Sequence, residues 1–206
     1  MALRRLAGVF ARSEASTGRT LPIHKTASGT WVPTPVPLIE ETVARLRATG
    51  LLGEGAPPEP LIDAGAGDGR VAAVLAALSP RHMVYGVESD PGLYARAVAN
   101  LEALADARLV DPARLRLVEG DYCLPATYGA ADIPLDRSPL VFNYPDGNHR
   151  RLAAFLAAHA GPATRLCLPT HDRTLRLDEL PLEAAYDLQA GWRLSVYAMP
   201  GQSARA

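Results

Sequence analysis

Three acids in this chain each close a short apolar run. Asp63 follows Leu61-Ile62, Glu88 follows Met83-Val84-Tyr85-Gly86-Val87, and Asp121 comes just after Leu115-Arg116-Leu117-Val118-Glu119. Asp63 opens a loop with Gly65, Gly67 and Gly69 at every second position, and a helix-like run starts at Arg70-Val71-Ala72-Ala73-Val74-Leu75. Glycines there permit positive φ and close approach of a ligand, and the helix start offers unpaired NH groups to anionic ligand groups. A nucleotide-like ligand fits such a loop. Glu88 lies 25 positions after Asp63, close to the distance at which an acid ending the second strand accepts from ribose hydroxyls. Asp121, after Gly120, is placed to accept from an exocyclic amine, and Tyr122 to pack on a ring face.

Spacing excludes two nucleotide classes. A dinucleotide fingerprint needs Gly-x-Gly-x-x-Gly, but Arg70 stands where the third glycine belongs. A P-loop needs Gly-Lys-Ser/Thr, and the sole lysine is Lys25.

On the acceptor side, Asn143-Tyr144-Pro145 follows a fourth apolar run, and His149 and His171 each follow a strand end. Either histidine could take a proton from a nucleophile. His24 and Tyr144 are weaker candidates for that role, and His82 and His159 are expected away from the site.

The elements that must position these groups read as alternating strands and helices. Strands are expected near 60–62, 83–88, 115–119, 139–143 and 165–169, with helices over 38–51, 69–78, 90–107 and 149–159. Segments 184–188 and 192–198, around Gln189-Ala190-Gly191, read as a terminal antiparallel hairpin. The fold class expected is therefore α/β: a Rossmann-like, doubly wound, mostly parallel sheet with a C-terminal antiparallel hairpin, its ligand beside the topological switch point.

Residues 31–206 are expected to form one domain behind a partly mobile N-terminal arm, 1–30. Residues 1–12 read as a solvated helix or tail, 13–30 as a loop or mobile arm, and 53–59 as a Gly/Pro loop. Alternating prolines in Trp31-Val32-Pro33-Thr34-Pro35-Val36-Pro37 enforce a stiff extended segment suited to walling a pocket.

Composition narrows the partners. At 206 residues and 48% hydrophobic, the chain can bury a sizeable core, and a net charge of −1 gives no strong signal for nucleic acid or an anionic membrane. Cys123 and Cys167 lack metal-site spacing and read as buried thiols in a reducing, cytoplasmic compartment. No run is long enough for a membrane span.

The Asp63 to Gly69 loop resembles motif I of class I S-adenosylmethionine (SAM)-dependent methyltransferases. Beyond it, Trp31-Val32-Pro33-Thr34, Asp63 to Arg70, Glu88, Gly120-Asp121, Pro145 with Asn148, and Thr170-His171-Asp172 resemble the Dot1-like group of small lysine methyltransferases and its bacterial relatives, over roughly residues 31–173. The resemblance implies SAM as cofactor, held by Trp31, Thr34, Asp63, Gly65, Ala66, Gly67, Glu88, Ser89, Asp121, Tyr122 and Asn143, with Thr34 near its methionine end. It implies methyl transfer to an amine, on a protein lysine or a small molecule, or to another nucleophile. Asn143, Tyr144, His149 and His171 are the candidate catalytic residues. A non-catalytic SAM-binding scaffold or sensor is the alternative, and an aminopropyltransferase on the same fold a third.

Overall fold

The computed structural model describes residues 2–15, 24–26, 29–52, 59–144 and 146–200. In chain order the elements are α1 (Ala2–Ala15), β1 (His24–Thr26), β2 (Gly29–Trp31), α2 (Val36–Ala48), β3 (Leu61–Ala64), α3 (Arg70–Leu78), β4 (Val84–Glu88), α4 (Pro91–Asp106), β5 (Leu115–Glu119), α5 (Pro125–Ala130), β6 (Leu140–Phe142), α6 (His149–His159), β7 (Arg165–Thr170), β8 (Leu182–Asp187) and β9 (Arg193–Ala198).

Seven strands make one sheet in the order β5-β4-β3-β6-β7-β9-β8, with β3 to β7 mutually parallel and β9 antiparallel to both β7 and β8. The chain builds outward from β3 through β4 to β5, then crosses back to lay β6 on the other side of β3. The switch point is therefore the crevice at the C-terminal ends of β3 and β6, where ligands of such sheets bind.

Side-chain alternation along the central strands feeds two cores, since successive residues face opposite sides of a sheet. Leu61, Leu140, Phe142, Cys167, Leu194 and Val196 pack with α1, α2 and α3. Ile62, Val141, Leu166, Leu168 and Tyr197 pack with Tyr128 of α5 and Leu152, Phe155 and Leu156 of α6. Both cysteines are free and buried. Among the described residues, no helix is long and apolar enough to cross a membrane.

The strands and the four long helices expected between 38 and 198 form at the expected places, and the C-terminal hairpin forms as β8 and β9. Asp90 caps α4 by accepting from the Leu93 amide at 2.9 Å, with Pro91 in the first turn. Two expectations are corrected. The N-terminal helix is solvated on one face only: Arg4, Arg5 and Arg12 are exposed, while Leu6, Val9 and Phe10 are buried in the core that contains α3. Within the stretch read as loop, β1 and β2 form an antiparallel hairpin with His24 opposite Trp31. Residues 16–23, 27–28 and most of the Gly/Pro loop expected at 53–59 lie outside the described residues.

Candidate functional site

The switch-point loop explains itself from the residues upward. Gly65, Gly67 and Gly69 have φ of +83°, +57° and +82°, so three left-handed turns carry the chain from β3 into α3. Asp63, 1% exposed, accepts from the Ala72 amide at 3.0 Å and so ties the strand end to the first turn of α3. Burial pushes its carboxyl up to about 8; the charges of Glu88 and Asp68 add to the rise, and the Ala72 amide opposes it.

Glu88, at the end of β4, accepts from the Gly67 amide at 2.7 Å through Oε2 and from the Asp90 amide at 2.8 Å through Oε1. Burial raises its pKa as well, against the pull of the Asp90, Gly67 and Ser89 amides. Two carboxylates held above their ordinary range by desolvation form a site that a cationic ligand would relieve.

Beside them lies a narrow cleft with about 40 Å³ of free room. It is lined by Asp63, Gly65, Ala66, Glu88, Ser89 and Tyr122 from the sheet side and by Trp31, Val32 and Thr34 from the other. The β1–β2 hairpin closes over it: Thr26, Gly29 and Thr30 also line the cleft, and the Thr30 amide donates to the Asp146 carbonyl at 3.2 Å. Asp146 in turn accepts from the Tyr122 hydroxyl through Oδ2 and from the Asn148 amide at 2.8 Å through Oδ1.

Trp31 lies on the glycine loop. A Cβ at Gly67 would sit 1.9 Å from its Nε1, and the guanidinium groups of Arg70 and Arg96 each lie 5.8 Å from its ring centroid. Arg70 is itself buried and pairs with Asp68 at 2.6 Å and with Glu14 of α1. Helix α1, the glycine loop and the indole therefore share one guanidinium.

Of the expected cofactor residues, Trp31, Thr34, Asp63, Gly65, Ala66, Glu88, Ser89 and Tyr122 line this one cleft. Three are placed otherwise. Gly67 gives its amide to Glu88 and is covered by the indole. The Asp121 carboxylate pairs with Arg151 at 2.7 Å and accepts from the Cys123 amide at 2.8 Å, and Asp121 is not among the residues that line the cleft. Asn143 is fully buried; its Nδ2 donates to the Ala64 carbonyl at 2.6 Å and its own amide donates to the Cys167 carbonyl, while Oδ1 has no partner. That is the geometry of a residue that ties two strand ends together.

The remaining acceptor-side candidates diverge. Tyr144 is half-buried, lines the cleft, and its ring stands 5.3 Å from that of Trp192. His171, beyond β7, is exposed and lies 3.7 Å from Trp192, centroid to centroid. His149 is half-buried at the start of α6 with a buried Nδ1 that has no hydrogen-bond partner among the described residues. Burial, then the charge of Arg150, depresses its pKa, partly offset by Asp146 and Asp172. The expectations for His82 and His159 hold: His82 bonds the Glu59 carbonyl at 2.7 Å and His159 packs on Phe155, neither against the cleft. The side chain of His24, and Pro145, lie outside the described residues.

Sequence reasoning passed over Asp146, Trp192, Arg70 and the hairpin residues. Asp146 stands in an Asp-Gly pair directly after the fourth strand, a signal that was present but reads first as a turn.

No protein-family model matches this sequence, and no curated protein does either. Solved structures do. An RNA methyltransferase from Salinibacter ruber, in complex with S-adenosyl-L-homocysteine, is 20% identical over 83% of this chain and 95% of its own, with a TM-score of 0.59. The rRNA methyltransferase AviRa from Streptomyces viridochromogenes is 17% identical over 84% of this chain and 87% of its own, with a TM-score of 0.63. A predicted O-methyltransferase from Agrobacterium tumefaciens is 21% identical over 69% and 74%, with a TM-score of 0.53. The chain has the Rossmann-like fold of class I SAM-dependent methyltransferases.

Proposed function

We propose that this protein is a SAM-dependent methyltransferase. The observation that carries the reading is Glu88: a buried carboxylate at the C-terminal end of β4, bonded to the glycine-loop amide and lining the cleft. Such a carboxylate suits a pair of ribose hydroxyls. Asp63 and Glu88 together suit a ligand with positive charge, and SAM brings a sulfonium and an ammonium. The fold is that of proteins crystallised with S-adenosyl-L-homocysteine, which supports the same reading.

SAM supplies an already activated methyl group, so the protein's task is alignment. Proximity and orientation can contribute about 7 to 11 kcal/mol to such a displacement. In this reading Glu88 fixes the ribose and Asp63 balances positive charge. Trp31, Val32 and Thr34 wall the cleft, with Thr34 toward the methionine end, and Tyr122 packs on the adenine ring. Tyr144 borders the acceptor's approach.

The acceptor is a nucleophile that enters on the Tyr144 side, either an amine on a protein or small molecule or another group. Asn143 ties strands rather than orienting an amine. Of the two histidines, His149 is the candidate proton acceptor: its Nδ1 is buried, and desolvation lowers its pKa and so favours the neutral imidazole. A Dot1-like relation within the class rests on Trp31 to Thr34, whose indole and threonine line the cleft.

Calorimetry with SAM and S-adenosylhomocysteine tests the cofactor assignment. Binding of either, weakened in Glu88→Ala, supports it; a folded protein giving neither heat nor thermal shift with both ligands refutes it. A radiolabelled methyl-transfer screen on lysate, split into protein, RNA and small-molecule fractions, then identifies the acceptor.

A further inference from the structure

Three aromatic rings run outward from the cofactor cleft along the C-terminal edge of the sheet. Tyr144 lines the cleft just past β6, Trp192 precedes β9, and His171 follows β7. The register of β7 against β9 sets Thr170 opposite Arg193, which brings the residues flanking that pair together. Trp192 therefore stands between the other two rings, 5.3 Å from Tyr144 and 3.7 Å from His171, tilted 54° and 41° to them. Tyr144 and Trp192 are half-buried and His171 is exposed, so the row has a buried back and a wet front.

Nearby acids are already engaged. Asp172 accepts from the amide and the hydroxyl of Thr174 at 2.8 and 2.6 Å, Asp178 pairs with Arg150 at 3.4 Å, and Asp187 pairs with Arg173 at 3.1 Å. A neutral flat ring needs no counter-charge, and aromatic pairs favour the offset and tilted arrangements that such a row offers.

We propose that the Tyr144–Trp192–His171 row is the acceptor subsite and that it takes a planar aromatic or heteroaromatic ring, with the group to be methylated directed toward Tyr144. The inference rests on the methyltransferase reading above. In the step itself, a bond forms between the ring's nucleophilic atom and the methyl carbon while the carbon–sulfur bond breaks. The sulfonium becomes a neutral thioether, and the acceptor's proton leaves to His149 or water. The flat ring has two chemical sources, a nucleobase of RNA or a free aromatic small molecule, and both offer the row the same kind of flat face.

The test uses the full chain saturated with S-adenosylhomocysteine, whose own affinity is measured first. Calorimetric titrations then follow with 2-naphthol, its saturated analogue decahydro-2-naphthol, a mixed-sequence single-stranded RNA decamer and a lysine-containing peptide. A flat probe should bind at least about tenfold more tightly than the saturated alcohol and the peptide, the scale expected of one stacked ring. Trp192→Leu, which keeps apolar bulk behind the row but removes its face, and the exposed-site change His171→Ala should each weaken that probe while S-adenosylhomocysteine binding is unchanged.

Tight binding of the decamer alone assigns the ring to RNA, and of naphthol alone to small molecules. Equal binding of flat and saturated probes, preference for the peptide, no binding of any probe to the saturated complex, or indifference to both substitutions overturns the subsite. Failure to bind S-adenosylhomocysteine overturns the methyltransferase reading instead.

Discussion

The packing of Trp31 on the glycine loop yields a prediction that can be worked from the coordinates. Replacing Gly67 by alanine imposes two separate penalties. A side chain in the left-handed region, where Gly67 has φ of +57°, costs about 1 to 2 kcal/mol. The new methyl group would also stand 1.9 Å from the indole Nε1, so the ring must leave the loop and give up its place between Arg70 and Arg96. With cation–π contacts worth about 0.5 to 1 kcal/mol each, that displacement adds about 1 to 2 kcal/mol.

Gly67→Ala should therefore destabilise the protein by about 3 kcal/mol, a fall in Tm of roughly 6 to 12 °C for a chain of this size. In a Trp31→Ala background the clash is gone and only the backbone penalty, about 1 to 2 kcal/mol, should remain. The double-mutant cycle, read by urea unfolding, should thus show a coupling of about 1 to 2 kcal/mol, within the range for residues in contact. A Gly67→Ala cost that is the same in both backgrounds would refute the placement of the indole.

Further outcomes follow from the carboxylates and the histidine. Glu88→Ala should weaken S-adenosylhomocysteine binding by about tenfold or more, since hydrogen bonds to charged groups contribute about 1.5 to 3 kcal/mol; unchanged affinity would separate Glu88 from the ribose. Asp63 has its folded pKa raised to about 8 against an ordinary 3.8, so the folded state holds the extra proton and stability declines as pH rises from about 4 through 8. Asp63→Asn should therefore gain Tm over the parent protein at pH 9 relative to pH 5, and an equal difference at both pH values counts against the buried charge. For the same reason SAM should expel a proton on binding near pH 8, seen as a dependence of calorimetric heat on buffer ionisation enthalpy. His149 titrates below the ordinary histidine value, so a rate limb set by it should lie on the acid side of about 6.5 and vanish in His149→Ala. Asp146→Ala removes the side-chain bonds to the Tyr122 hydroxyl and the Asn148 amide that fix this turn, so hydrogen exchange at Thr30, whose amide bonds the residue-146 carbonyl, should quicken while β3 and β4 keep their protection.

The parallel half of this fold was legible because its signals are local. Strands β3, β4, β5, β6 and β7 are short apolar runs ending in chemistry-bearing residues, and α4 declares itself with an Asp-Pro start. The N-terminal region was not. In α1 the arginines at 4, 5 and 12 suggested solvent, yet Leu6, Val9 and Phe10 share one face and find a core supplied by distant helices. Strands β1 and β2 have three residues each, too few for an alternation to show, and owe their position to Asp146, more than a hundred residues away.

What the sequence determined by itself is the cradle. Asp63, three alternating glycines and Glu88 at its spacing require only a strand, a turn and a helix to form the loop beneath the cleft, and that geometry is encoded within a few dozen residues. Which polar groups face the cleft was decided by tertiary structure alone. Asp121 and Asn143 have the right type at the right strand ends, but Arg151 claims the first and the Ala64 carbonyl the second. Trp192 and His171 become neighbours of Tyr144 only because β9 returns antiparallel to β7. A carboxylate or amide buried at such a site must be satisfied by whatever partner the packing brings, and that partner is invisible until the chain is folded.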